Sequence, residues 1–198
     1  FKILEAYYKP GEFNEGRQKM VWMPKGAELI LNPTSGAPGF NIENVFTSDF
    51  DVYLILGANF MANNSTATGV NMRLIQASNT VISTQIYDYA QEAHKGETSK
   101  GENYSDNETR IWNVFSGIDD GGQGSGGTIW LYNPTDTDKY TMMTWKSVGQ
   151  PGGTLRGYNG HCIYPVRDKI TGYQIELNEA AGEFLAGGKI RTYGLRVD

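Results

Sequence analysis

The sequence predicts an all-β domain, an antiparallel β-sandwich of jelly-roll-like type. Short segments rich in Val, Ile, Thr, Tyr and Trp follow one another along the chain, and Gly, Asn, Asp, Ser and Pro separate them. No long segment shows the 3.6-residue apolar period of an amphipathic helix. The number of these segments, roughly ten or slightly more, suits two packed sheets.

The predicted strands are the segments in which β-branched, aromatic and aliphatic residues dominate. In chain order they cover residues 1–8, 19–23, 27–32, 51–60, 70–76, 80–88, 110–116, 128–134, 140–148, 172–178 and 189–197. Segment 51–60 has apolar side chains on both faces, so we expect a central strand there. Segment 172–178 alternates apolar and polar residues, so one of its faces should meet water.

One helical segment and three surface loops are expected between the strands. The segment YAQEAHKG, residues 89–96, contains consecutive helix formers and predicts one or two helical turns that end at Gly96. Residues 61–69, 94–109 and 117–127 are polar and are predicted to be long surface loops. Their Asn, Ser, Gly, Thr and Tyr residues are typical of adaptable binding loops.

The domain organisation expected from the sequence is a sandwich domain at residues 46–198 preceded by residues 1–45. The first segment is interpreted as N-terminal strands or an arm, and it either completes the sandwich or reaches a neighbouring molecule. No linker divides the chain. Because the first residue is Phe1 and no signal-like segment is seen, we expect a processed product or an upstream portion.

Composition excludes several classes of protein. The formal net charge of −5 and the modest charged fraction of 20% argue against a nucleic-acid partner. No apolar run approaches the roughly 18 residues that span a bilayer, so no membrane insertion is expected. Cys162 is the single cysteine, so no disulfide forms within the chain and stability must come from packing or from partners.

A glycine-rich stretch raises the question of nucleotide binding. Gly122, Gly124 and Gly127 have the spacing G-x-G-x-x-G of a dinucleotide-binding loop. Such a loop must lead into a helix whose N-terminus faces the pyrophosphate, but Gly127 leads into TIWLY, which strongly prefers a strand. The stretch is therefore interpreted as a long hairpin connection and not as a nucleotide site.

Two pairs of aspartates could supply oxygen ligands to a calcium ion. Asp119 and Asp120 precede the glycine-rich stretch, and Asp136 and Asp138 lie in NPTDTDKY, but neither pair matches a calcium loop. Asp side chains commonly cap turns through nearby backbone groups, and we adopt that interpretation. The sequence thus predicts no metal site and no cofactor.

Catalytic chemistry has little support in the sequence. His161 and Cys162 are adjacent, but neighbours on an extended segment point to opposite sides, so they cannot form a nucleophile–base pair. His94, the other histidine, lies in a polar segment far from them, without a hydrolase motif. Asp and Glu are scattered, and their spatial separation cannot be read from the sequence. We therefore expect that the protein is not an enzyme.

Aromatic residues are the more informative candidates for binding. The chain has 12 Tyr and four Trp, and amphipathic rings suit both protein interfaces and sugar faces. In TIWLY, Ile129 and Leu131 occupy one face and Trp130 and Tyr132 the other, so both faces need cover, which a neighbouring subunit would provide. The candidate interface or glycan-binding residues are Trp130, Tyr132, Tyr104 and Trp112.

Three stretches resemble a loosely related group of bacteriophage virion proteins that is common in marine and environmental phages and is often associated with tail fibres. They are FTSDFDVYLILGANFMANNSTATGVNMRLIQASNT, GTIWLYNPTDTDKYTMMTWKSV and ITGYQIELNEAAGEFLAGGKIRTYGLRV. The resemblance covers about residues 46–197, and residues 1–45 match nothing in that group. It implies a non-enzymatic β-sandwich of the virion, displayed in several copies, and it carries over no catalytic residue.

The resulting hypothesis is a tail-fibre or receptor-binding component of a phage virion, assembled in the cytoplasm of the host bacterium. Its expected partners are other copies of itself, with a trimer favoured, other virion proteins and a host cell-surface glycan. Two alternatives stay open: a capsid decoration or head-fibre protein, and a secreted carbohydrate-binding module.

Overall fold

A computed structural model describes residues 21–30, 38–63, 68–96, 99–120, 123–178 and 182–196. Within these residues the chain forms strands joined by turns and one short 3-10 turn at Pro151–Gly153. The strands are β1 (Val21–Ile30), β2 (Gly39–Ile42), β3 (Val52–Phe60), β4 (Thr68–Gln76), β5 (Tyr87–Lys95), β6 (Ser99–Glu108), β7 (Ile111–Ile118), β8 (Ser125–Tyr132), β9 (Thr141–Gly149), β10 (Arg156–Tyr164), β11 (Ile170–Leu177) and β12 (Lys189–Arg196).

The strands form two antiparallel sheets that pack against each other, which confirms the predicted all-β sandwich. The larger sheet has eight strands in the order β1-β12-β3-β8-β9-β10-β5-β6. The smaller sheet has four strands in the order β2-β11-β4-β7. Strands β1 and β2, which fall within residues 1–45, are edge strands of the larger and the smaller sheet respectively.

Strand pairing is nested in the way that gives a jelly roll its winding. Strand β3 pairs with β12, β4 with β11, and β5 with β10, so that each pair lies inside the preceding one along the chain. Successive pairs alternate between the two sheets. The hairpin β8–β9 fills the place between β3 and β10 in the larger sheet.

The core lies between the sheets and contains many aromatic rings. Phe60 on β3 packs against Phe115 on β7, with ring centroids 4.8 Å apart. The hydroxyl groups of Tyr173 on β11 and Thr192 on β12 form a buried hydrogen bond of 2.8 Å across the layers. Burying such large rings supplies much of the free energy that holds two sheets together.

The expected helix at residues 89–96 is wrong, because β5 occupies Tyr87–Lys95. Strand β5 is hydrogen-bonded on both sides, to β10 and to β6. Its buried positions Tyr87, Tyr89 and Gln91 alternate with less buried ones, which is the two-residue period of a strand. Local helix preferences of a few tenths of a kcal/mol per residue are outweighed by this pairing and burial.

All three expected loops contain strand residues. Residues 94–109 include β6, a polar edge strand paired with β5, so the loop interpretation is wrong there. Residues 117–127 include the end of β7 and the start of β8, and the hairpin interpretation of the glycine-rich stretch is wrong, because β7 belongs to the smaller sheet and β8 to the larger one. For residues 61–69, the end of the expected loop belongs to β4, and residues 64–67 lie outside the described ones.

The remaining differences concern strand number and boundaries. Strands β2 and β10 were not predicted, and the predicted segments 19–23 and 27–32 contribute to a single strand, β1. The predicted strand at residues 80–88 is only partly formed. Its last two residues belong to β5, and Val81 forms an isolated bridge with Ile75. The predicted strand at residues 1–8 lies outside the described residues.

Candidate functional site

The outer face of the larger sheet, meaning the side turned away from the smaller sheet, contains most of the candidate residues. Alternation along β9 shows the two sides of this sheet: Met143 and Trp145 are buried, whereas Met142 and Val148 are exposed. On β8, Ile129 and Leu131 are buried in the core, as predicted, and Trp130 and Tyr132 lie on the outer face.

Register places large apolar side chains side by side on this outer face. Across β3, β8, β9 and β10, the directly opposite residues are Val52, Tyr132, Met142 and Ile163. The neighbouring row across the same strands is Leu54, Trp130, Thr144 and His161. We call the following six residues the apolar patch: Val52, Leu54, Trp130, Tyr132, Met142 and Ile163.

Two of the six residues of the apolar patch are exposed to solvent. Met142 is 43% exposed and Ile163 is 42% exposed. The other four are partly buried. Contiguous apolar surface of this kind is typical of an interaction site, whereas single exposed apolar residues are ordinary.

Tyr104 lies on the same outer face, on the edge strand β6. It stands directly opposite Ala90 of β5, and Ala90 stands opposite His161 of β10. Its side chain is 83% exposed, the highest value among the large hydrophobic residues that the structure describes. The structure thus places three of the four predicted candidates, Trp130, Tyr132 and Tyr104, on one face of one sheet.

Trp112, the fourth candidate, lies apart from the others on β7 of the smaller sheet. It is partly buried and packs against the core. Its indole Nε1 donates a hydrogen bond of 3.3 Å to Glu108, and the Arg110 guanidinium lies 5.1 Å from its ring centre. Arg110 also forms an ion pair of 2.9 Å with Glu176. These contacts give Trp112 a structural role at the edge of the smaller sheet.

His161 and Cys162 point to opposite sides of β10, as the extended geometry predicts. His161 is exposed on the outer face, whereas Cys162 is buried, with a relative exposure of 5%. Burial raises the pKa of the Cys162 thiol, with the charge of Asp88 as a second cause. The thiol therefore stays protonated, and the two side chains form no nucleophile–base pair.

The aspartates are engaged in turn geometry. Asp136 accepts a hydrogen bond of 2.8 Å from the backbone N–H of Asp138 and one of 2.7 Å from Lys139. These bonds lower the pKa of Asp136. Asp119 is buried and accepts a short hydrogen bond from the backbone N–H of Gly152 in the 3-10 turn. Among the described residues, no group of three or more His, Cys, Asp or Glu is arranged to hold a metal ion.

The glycine-rich stretch leads into a strand, which agrees with the rejection of a nucleotide loop. Gly124 has a φ of +83° just before β8 begins at Ser125. Residues 121 and 122 lie outside the described ones.

Sequence reasoning did not identify Met142 and Ile163 as surface residues. The alternation within residues 140–148 carries a signal for Met142, because Met143 and Trp145 share the opposite face. Ile163 lies on β10, whose glycine-containing sequence RGYNGHCIY has few of the usual strand signals.

Comparison of the chain with protein-family models, with curated proteins and with solved structures found no match. In the part of the chain that the structure describes, there is no helix with the length and apolar character needed to cross a membrane.

Proposed function

We propose that the protein is a non-enzymatic virion component of a bacteriophage, of the tail-fibre or receptor-binding kind. In this proposal it associates with copies of itself, and with neighbouring virion proteins, through the outer face of the larger sheet. The phage setting rests on the sequence resemblance over about residues 46–197. The observation that carries the association is the apolar patch.

The patch supports an interface because its members adjoin on the middle strands of the sheet. Strands β3, β8, β9 and β10 are each hydrogen-bonded on both sides, so the patch has a rigid base. An interface that is already ordered loses less conformational entropy on association than a flexible loop would. Aromatic residues and Met are also enriched at protein interfaces, and Trp130, Tyr132 and Met142 belong to these types.

A second copy of the chain is the partner that we propose for the patch. Virion fibres present symmetric copies of one subunit, and symmetric association is the usual state of oligomeric proteins. A stable interface of standard size buries about 800 Å² per partner. The apolar patch on β3, β8, β9 and β10 lies at the centre of the interface that we propose.

The test is the solution mass of the purified chain, measured by light scattering over a range of concentrations. We expect a homo-oligomer, with a trimer favoured. The variants Met142→Lys and Ile163→Lys should lower the mass, because each places a charge within the interface. Leu155→Lys is the matched control: Leu155 is 57% exposed but lies outside the strands, so its replacement should leave the mass unchanged.

A strictly monomeric parent protein would contradict self-association and would leave a capsid decoration protein or a carbohydrate-binding module. The carbohydrate-binding module is a second candidate function because of one specific observation, the highly exposed ring of Tyr104. A planar ring that faces solvent at a sheet edge is suited to packing against the apolar face of a sugar.

A further inference from the structure

A cleft lies on the outer face of the larger sheet, beside the apolar patch and over strands β10, β5 and β6. Its volume is about 240 Å³. Drug-sized ligands occupy pockets of about 300–1,000 Å³, so this cleft suits a single small ring. The outward-facing residues that line it are Asn159, His161, Ala90, Glu92, Glu102 and Tyr104.

The floor and walls of the cleft follow from one row of the sheet. His161, Ala90 and Tyr104 are directly opposite one another on β10, β5 and β6. Because the middle residue is a small alanine between two ring-bearing side chains, the sheet surface is depressed at that point. A ring that entered the depression would rest on Ala90, between Tyr104 and His161.

Two carboxylates define one side of the cleft. In the adjacent row Glu92 stands directly opposite Glu102, and directly opposite residues have Cβ atoms about 4.5–5.5 Å apart. Like charges directly opposite one another destabilise a sheet, so a positive charge bound beside this pair would reduce their repulsion. The carboxylate Oε2 of Glu92 lies 3.8 Å from Nε2 of His94. Within the described part of the chain, Glu102 forms no ion pair.

Basic side chains surround the glutamates on two sides. His94 stands opposite Lys100 in the next row, and Lys146 of β9 lies beyond Asn159 in the row of the glutamates themselves. In the row on the other side, Ala90 lies between His161 and Tyr104 and forms the floor of the open cleft. A ligand amine seated over Ala90 would lie next to both carboxylates, whose oxygens accept charge-assisted hydrogen bonds.

We propose that this cleft binds a sugar ring that carries a free amino group. The ammonium group lies between Glu92 and Glu102, the hydroxyl groups bond to Asn159 and His161, and the apolar ring face packs against Tyr104. This inference deepens the proposed function, because it names the class of glycan that is bound. It rests on the proposed receptor-binding role. Affinity for a single ring in so open a cleft is expected to be weak, roughly millimolar.

The test uses three trisaccharides with the same β-1,4-linked backbone, which differ in bearing an amine, an acetamide or a hydroxyl group at carbon 2. Binding to the full chain is measured by calorimetry in mildly acidic buffer, in which the sugar amine is protonated. We expect binding of the amino trisaccharide alone. Raising the salt from about 0.01 M to about 0.15 M should weaken it, because the Debye length falls from about 30 Å to about 8 Å.

Variants locate the site. Glu92→Gln and Glu102→Gln should each weaken binding about tenfold, and Ala90→Leu should abolish it by filling the floor of the cleft. Glu43→Gln, at an exposed position after β2, is the matched control and should bind like the parent protein. If Ala90→Leu fails to fold, as judged by circular dichroism, the two glutamine variants still decide the location.

Equal binding of all three trisaccharides would overturn the role of the amine. Unchanged binding by the glutamine variants, or no binding by the parent protein, would overturn the site. None of these three results bears on the solution mass. Failure of this inference is therefore distinguishable from failure of the proposed self-association.

Discussion

Replacing Gly160 by alanine should destabilise the sandwich, because the position of the new methyl group is already occupied. Gly160 lies in the middle of β10, and its inner side faces the indole of Trp145 on the neighbouring strand β9. A Cβ atom at this position would be 2.6 Å from Cη2 of Trp145 and closer still to Cζ2 and Cε2. Trp145 has only 1% of its surface exposed, so its ring has no free space into which to move.

The expected size of the effect is the difference between two terms. Inserting a methylene-sized group into a packed core costs about 1–3 kcal/mol. Alanine in place of glycine offsets about 0.4–1 kcal/mol by restricting the unfolded chain. With the middle of each range, about 2 and about 0.7 kcal/mol, the free energy of unfolding should fall by about 1.3 kcal/mol. At roughly 2–4 °C per kcal/mol for a chain of this length, Tm should fall by about 3–5 °C.

The assay is urea unfolding followed by tryptophan fluorescence and far-ultraviolet circular dichroism. Gly101→Ala is the matched control, because a Cβ at Gly101 would lie 3.8 Å from Ala93, an ordinary contact. That variant should be as stable as the parent protein or more stable by up to about 1 kcal/mol. If Gly160→Ala behaves like Gly101→Ala, the packing of Trp145 over β10 is refuted.

Three further predictions follow from hydrogen bonding and burial. Tyr53→Phe should lower the free energy of unfolding by about 1–3 kcal/mol in urea titrations. The reason is that the Tyr53 hydroxyl accepts a hydrogen bond of 2.7 Å from the Thr47 N–H and donates one of 2.8 Å to the Thr47 carbonyl. An unchanged midpoint of unfolding would contradict this contact. Burial raises the pKa of both Tyr89 and Tyr164 to about 12, against about 10 in the unfolded chain. The contribution of these two tyrosines to stability should be complete below about pH 10 and be lost as the pH rises towards 12, since the unfolded chain releases these protons first. If the free energy of unfolding falls equally steeply with pH after both are replaced by Phe, the two tyrosines are not the cause. The buried thiol of Cys162 should not react with an aromatic disulfide reagent in the native protein and should react fully in urea, and rapid native reaction would show that it is accessible.

The sandwich could be predicted from the sequence because strand signals are local. Segment 172–178 carries its apolar residues at the two-residue period, segment 51–60 carries them on both faces, and turn residues bound each segment. The position of β5 could not be predicted in this way. Its Ala, Gln and Glu residues favour a helix locally. Pairing with β6, the next strand along the chain, and with β10, which is distant in sequence, makes it a strand.

Part of the candidate site could be predicted from the sequence, because the alternation of side chains along one strand is also a local signal. Alternation in TIWLY separates Trp130 and Tyr132 from the core residues, but no local pattern tells which other side chains will adjoin them. Register does so, by bringing Met142 and Ile163 beside Tyr132. Trp112 could not be distinguished from the other aromatic candidates, since its contacts with Glu108 and Arg110 depend on the turn between β6 and β7.

Oxidation of methionine as a function of protein concentration tests most directly whether the outer face of the larger sheet is the interface. Met142 and Met143 are neighbours on β9, with exposures of 43% and 2%, so one reports on the outer face and the other is an internal control. Both sulfoxides are measured by mass spectrometry of peptides after brief peroxide treatment. The proposal predicts that Met142 is oxidised in dilute protein and protected at concentrations at which the mass shows an oligomer, while Met143 stays unreacted at both. Equal oxidation of Met142 in the dilute protein and in the oligomer would place the interface elsewhere and contradict the account.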